Sequence, residues 1–147
     1  MKALLQRASQ ASVSFDGEVI GRIGRGFAIL LGVAQGDTRE DAEYLAQKVI
    51  NLRVFPDEQG KFNLSALDVQ GELLVVSQFT LFANARKGNR PSFTEAAPPD
   101  EAEPLFELFV ELLHASGLKV EKGLFRQRLL VEIHNDGPVT LLLDSRA

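Results

Sequence analysis

Two short segments of this 147-residue chain place polar groups where a folded core normally excludes them. In Ser77-Gln78-Phe79-Thr80-Leu81, two hydroxyls and an amide interrupt an apolar run that begins at Leu73. A buried polar group costs about 1 to 3 kcal/mol unless it finds a partner. A ligand site at a strand end and simple cross-strand hydrogen bonding account for this segment equally well. In Asn135-Asp136-Gly137-Pro138-Val139-Thr140, glycine ahead of proline frees the backbone to expose its carbonyls. An X-Pro bond is also cis in about 5 to 6% of cases. Residue types alone favour a plain turn here, leading into a last strand.

Other chemistries are harder to build. The chain has no cysteine, which removes a thiolate nucleophile, disulfides and cysteine-ligated metal. His114 and His134 stand in no zinc-binding spacing, so no metal site and no cofactor is expected. There is no G-x-S-x-G elbow. The run Gly21-Arg22-Ile23-Gly24-Arg25-Gly26 lacks the Lys-Ser/Thr of a phosphate-binding loop and reads as a connection between strands. The segment from 84 to 90 carries Arg86, Lys87 and Arg90 without an acid. Those cations could hold an RNA end, although a short basic loop is more often just solvated. The net charge of -4 argues against non-specific nucleic-acid binding, which depends on clustered cations neutralising phosphates.

These segments need elements to hold them. At 45% hydrophobic and 24% charged, the chain has the composition of a globular protein, and its length suits one domain over residues 1–147. A partly alternating strand is predicted over 3–15, turning at Asp16-Gly17 into a return strand around Val19 to Gly21. Gly26 to Val33 is apolar throughout and reads as a central strand covered on both faces. Thr38 with Asp41 resembles a capping box. It is followed by Ala42, Leu45, Ala46, Val49 and Ile50 on one helical face, predicting a helix over 38–51. A turn at 56–60 separates short extended pieces, and Leu73 to Leu81 reads as a second buried strand. Residues 82–99 show no periodicity and read as a long loop, a kind of segment that is often functional. A second helix enters through Pro98-Pro99-Asp100 and stops at Gly117. Further strands are predicted over 118–121, 124–134 and 139–143. The fold class is therefore α/β or α+β, with two main helices on a mixed, barrel-like sheet. Gln6 and Arg7 break up the N-terminal apolar residues before a signal core forms, and no run reaches membrane length. With no cysteine to oxidise, a cytoplasmic location is expected.

At its two polar segments the sequence resembles the D-aminoacyl-tRNA deacylase family of bacteria and eukaryotes. The family signatures S-Q-F-T-L and N-x-G-P-V-T both occur unbroken, at 77–81 and 135–140. The likeness extends through Gln6-Arg7, Arg53-Val54-Phe55, Gly60-Lys61-Phe62-Asn63 and Arg90-Pro91-Ser92-Phe93. It implies a homodimer that cuts the ester between a D-amino acid and its tRNA. Ser77, Gln78, Phe79 and Thr80 of one chain would hold the aminoacyl group and terminal ribose. Gly137-Pro138 of the partner would exclude L side chains through main-chain oxygens, with Asn135 in the same substrate-binding motif. Phe125 matches a position that contacts the terminal adenine, and Arg86, Lys87 and Arg90 would meet tRNA. Glycine carried on tRNA-Ala is a further expected substrate. The resemblance suggests that water attacks with help from backbone amides near Phe79 or Thr80 and from the substrate's own 2'-hydroxyl. The family commonly has small residues and then methionine after Phe125, where this chain has Arg126-Gln127-Arg128-Leu129. The resemblance leaves two rival functions: DNA binding, to which eukaryotic relatives are linked and which the acidic charge disfavours, and a synthetase editing module, whose fold is similar.

Overall fold

The computed structural model describes residues 1–146. Its framework is a six-stranded sheet organised around one long strand, β1 (Lys2–Phe15). One edge of β1 serves two neighbours in turn. Residues 2–8 pair with β3 (Gly26–Gly32), and residues 11–15 pair with β2 (Glu18–Ile23), both antiparallel. The other edge carries β8 (Leu129–Asp144) along its full length. Beyond β3 the ladder continues in parallel through β6 (Glu72–Ser77) to β7 (Val120–Lys122). Because β1 changes partner midway, the sheet curls until β2 packs against β6 and β7, making the predicted barrel-like layer. Gly26 begins the β3–β6 ladder because a Cβ there would lie 1.7 Å from the Glu72 carbonyl oxygen.

Two cores fill the two faces. On the outside, α1 (Arg39–Asn51) and α3 (Pro99–His114) cover Leu5, Phe27, Ile29, Leu31, Leu73 and Val75. The predicted stripe of α1, from Ala42 to Ile50, is buried as expected, and the Thr38 amide donates to the Asp41 carboxylate at 2.8 Å. Inside the curl, Ala8, Ala11, Val13, Ile23, Leu74 and Val76 form a smaller cluster. β3 and β6 feed both cores, which explains why neither alternates polar with apolar residues. Each buried Leu, Val or Phe contributes about 1.5 to 3 kcal/mol.

The strand limits that differ from expectation have a common cause: a strand extends only as far as its partner does. β6 stops at Ser77, opposite Leu31, so Phe79–Phe82 winds into a short 3-10 helix where a strand was predicted to continue. β8 starts at Leu129, opposite the last residue of β1, leaving Leu124 to Arg128 outside the strand. The predicted turn at 135–140 is a bulge within β8, because β1 continues past it as a template. β7 lies slightly later than predicted, whereas α3 starts at Pro99 as expected and includes Pro104. Short β4 (Phe55–Pro56) and β5 (Phe62–Leu64) form a separate hairpin, followed by α2 (Ala66–Val69), a single turn that periodicity did not reveal. Among the described residues, no helix is long and apolar enough to cross a membrane.

Candidate active site

The end of β6 opens into a cleft of about 340 Å³, with Phe79, Phe93 and Phe125 as its aromatic walls and Ser77 at its base. Each wall is placed by a different element. Gln78 donates its backbone N–H to the Leu31 carbonyl at 2.8 Å, the last ladder contact before the chain coils. The next two residues begin the 3-10 helix, and the first N–H groups of a helix have no acceptor within it. The amides of Phe79 and Thr80 therefore stand at the start of the coil, and Phe79 itself lines the cleft. The Gln78 side-chain amide donates to the Thr80 hydroxyl, which ties the two polar side chains together. Phe125 follows β7 and leans on Phe106 of α3, with ring centroids 5.8 Å apart.

The loop after Phe82 supplies the third wall. Reciprocal bonds between Asn84 and Ser92, at 2.7 and 2.8 Å, pinch its base. Asn84 Oδ1 also accepts the Arg86 amide at 3.0 Å. Arg86, Lys87 and Arg90 consequently project from an exposed but anchored tip. Phe93, just past the pinch, meets Phe79 edge-on at 5.1 Å. The basic tip and the cleft are thus parts of one structure.

None of the residues lining the cleft is a histidine, lysine or carboxylate. His134 bonds to Gln10 across β1 and β8, and His114 sits exposed in the last turn of α3. Among the described residues, no group of three or more His, Asp or Glu side chains is placed to share a metal. Among the described residues the Thr80 hydroxyl is hydrogen-bonded to the Gln78 side-chain amide and to no base, and the cleft offers aromatic packing, the Ser77 hydroxyl, one cation in Arg126 and the main-chain amides at the start of the coil.

Gly137-Pro138 lies elsewhere in the chain. Between Gln6↔Thr140 and Ala8↔Asn135, β1 advances two residues while β8 takes five, so the extra residues bulge outward. The Gly137-Pro138 bond is cis, and Gly137 has φ 130°, in the region that favours glycine. Asn135 staples the bulge by accepting the Val139 amide at 3.1 Å and donating to the Thr140 hydroxyl at 2.9 Å. Arg7 grips it from below, its Nε donating to the Asp136 carbonyl at 3.1 Å and its Nη1 to the Val54 carbonyl at 2.6 Å. Gly137 and Pro138 are left exposed.

The ladder order β6-β3-β1-β8 sets this bulge three strands from Ser77. It also lies near the level of Arg7↔Phe27, four residues along β3 from Leu31↔Ser77. At about 4.8 Å per strand and 3.3 Å per residue, the separation is on the order of 20 Å. The structure brings Ser77, Gln78, Phe79, Thr80, Phe125 and the basic loop together, but not Asn135, Gly137 or Pro138. Sequence reasoning passed over the roles of Arg7 and Phe93. The readable signal for Arg7 was a cation within an alternating, half-buried strand, which needs partners when buried. For Phe93 it was an aromatic residue directly after a basic loop.

Comparison with known proteins gives a consistent result. A D-aminoacyl-tRNA deacylase of Dehalococcoides mccartyi (strain ATCC BAA-2100 / JCM 16839 / KCTC 5957 / BAV1) is 60% identical over 146 residues, covering 99% of this chain and 95% of that protein. One from Thermotoga petrophila (strain ATCC BAA-488 / DSM 13995 / JCM 10881 / RKU-1) is 57% identical over 145 residues, covering 99% and 97%. A solved structure described as a c-Myc DNA unwinding element binding protein superposes with a TM-score of 0.93 at 45% identity over all of both chains. A second, titled as a probable eukaryotic D-amino acid tRNA deacylase, has a TM-score of 0.82 over 97% of each chain, and at 16% identity it speaks for the fold alone. The family model for D-Tyr-tRNA(Tyr) deacylase matches residues 4–144, and the chain belongs to that family.

Proposed function

We propose that this protein is a D-aminoacyl-tRNA deacylase, hydrolysing the ester between a D-amino acid and the 3'-terminal ribose of tRNA. The observation that carries this reading is a cleft walled by Phe79, Phe93 and Phe125, with no side-chain base in its lining, at the start of a coil whose first amides have no acceptor within it. Aromatic walls suit a terminal adenine, which stacks on them whatever its neighbours in sequence. The Phe79 and Thr80 amides would polarise the ester carbonyl and hold the oxyanion after water attacks. A new bond then joins the water oxygen to the carbonyl carbon, and the bond to the ribose oxygen breaks. That oxygen leaves with a proton, and the amino acid departs as its carboxylate. The adjacent ribose 2'-hydroxyl, held in position by binding, would guide the water. Arg86, Lys87 and Arg90 would meet the acceptor-stem phosphates.

Chirality would be tested by a second copy of the chain. The exposed Gly137-Pro138 bulge is too far from its own cleft to act there, whereas a two-fold partner can deliver it. β8 also presents Leu130 and Leu142, 64% and 57% exposed, along a 16-residue edge strand. Such an edge is normally covered. Main-chain oxygens delivered by the bulge would exclude an L side chain and admit D residues, discriminating by rejection. Glycine, which has no side chain to reject, would also pass, including glycine mischarged on tRNA-Ala. The reaction belongs in the cytoplasm, where aminoacyl-tRNA is made. To test this reading, purified protein is mixed separately with D-Tyr-tRNA and L-Tyr-tRNA and ester loss is followed. Release from the D-form alone supports it, and no release, or equal release from both, overturns it. A salt-dependent shift of duplex DNA without deacylation would favour DNA binding instead.

A further inference from the structure

The cleft has a single charged lining residue, and it stands at the rim. Arg126 follows the wall residue Phe125 and adopts φ 63°, a left-handed conformation unfavourable to a residue with a side chain. Its Nη2 lies 3.2 Å from Asp100 Oδ1 in the first turn of α3. Both side chains are open to solvent, at 56% and 96% exposure. An ion pair this exposed is weakly held and easily exchanged. A nucleic-acid end seated with its terminal base in the cleft and its 5' phosphate past Arg126 would bring that phosphate near Asp100, which would repel it. Guanidinium groups bind phosphate with the same forked geometry they offer carboxylate.

We propose that Arg126 is a specificity-determining residue: on substrate binding it exchanges the Asp100 carboxylate for the phosphate 5' to the terminal nucleoside. The protein then favours an aminoacyl group on a polynucleotide over the same group on a free nucleoside. This rests on reading the cleft as the terminal-adenosine pocket.

The test compares D-Tyr-tRNA with 3'-D-tyrosyl-adenosine, which lacks the phosphate, using wild type, Arg126→Gly, Asp100→Asn and the double variant. Glycine accepts the left-handed backbone, so Arg126→Gly should fold. The expected result is a rise in KM for the tRNA of about three- to tenfold in Arg126→Gly, larger than any change in kcat and larger than the change for the nucleoside ester. The dependence of log KM on log salt should flatten by about 0.7, one single-strand phosphate contact. Asp100→Asn should lower KM for the tRNA. In the double variant KM should stay raised and the salt slope stay flattened. If the double variant regains the wild-type KM and slope, Arg126 merely neutralises Asp100 and the proposal fails. It also fails if Arg126→Gly affects both substrates equally. Wild-type protein inert on both substrates would instead overturn the deacylase reading, and this proposal with it.

Discussion

Replacing Arg7 by methionine tests how the Gly137-Pro138 bulge is held. The side chain is only 9% exposed and bridges two carbonyls, those of Val54 and Asp136, from separate parts of the chain. Methionine fills a similar apolar volume but donates nothing. The buried Val54 carbonyl then loses a charged donor, costing about 1 to 3 kcal/mol, while the partly buried Asp136 carbonyl can take water and costs about 0.5 to 1.5 kcal/mol. The ion pair with the Asp136 carboxylate, at 3.9 Å and 61% exposed on that side, adds little. The sum is about 1.5 to 4.5 kcal/mol, a large share of the roughly 5 to 15 kcal/mol that holds such a domain together. Urea unfolding at fixed protein concentration should show that loss as a lowered midpoint. Arg7→Lys should fall between the two, because one ammonium cannot reproduce the fork that spans both carbonyls. The bulge would also lose its fixed position, so the ratio of D- to L-Tyr-tRNA cleavage should fall with it. The reasoning is refuted if Arg7→Met unfolds within about 0.5 kcal/mol of wild type. The link to chirality is refuted if stability drops while the D:L ratio stays unchanged.

Three other outcomes follow from the same geometry. Thr80→Ala should keep kcat within about tenfold of wild type, since no base activates the hydroxyl; abolished turnover with tRNA binding intact would make Thr80 the nucleophile. Light scattering should give twice the 16.1 kDa chain mass, and fully active monomers would rule out a filter supplied by a partner. Stability should hold down to about pH 5 and fall below about pH 4. Three carboxylates are held below their ordinary 3.8 in the folded state. For Asp41, burial opposes ionisation, but the Ser145 hydroxyl, the Thr38 amide, the α-ammonium and Arg146 together outweigh it. Asp57 is held down chiefly by the Lys61 amide, and Asp68 by the Ser65 amide and hydroxyl. A depressed folded pKa contributes stability above the unfolded value, and that stability is lost as pH falls through the folded one. Unfolding midpoints that rose between pH 5 and pH 3 would contradict the assignment.

The sequence by itself determined the two helical stripes, the doubly buried strand from Gly26 and the two polar segments. Those patterns depend on neighbours a few residues away and on burial, which periodicity reports directly. It also carried the S-Q-F-T-L and N-x-G-P-V-T motifs, and with them the family. It could not show where strands end, because Ser77 and Leu129 mark the limits of ladders formed with distant partners. Nor could it show that 135–140 is a bulge, since only a template strand running past a segment makes it bulge instead of turn. Tertiary structure alone decided that Phe79, Phe93 and Phe125, 14 and 32 residues apart, face one cleft, and that Gly137 lies three strands away from it. Side chains meet across such distances only after the sheet has curled, and no local pattern in the chain records that curl.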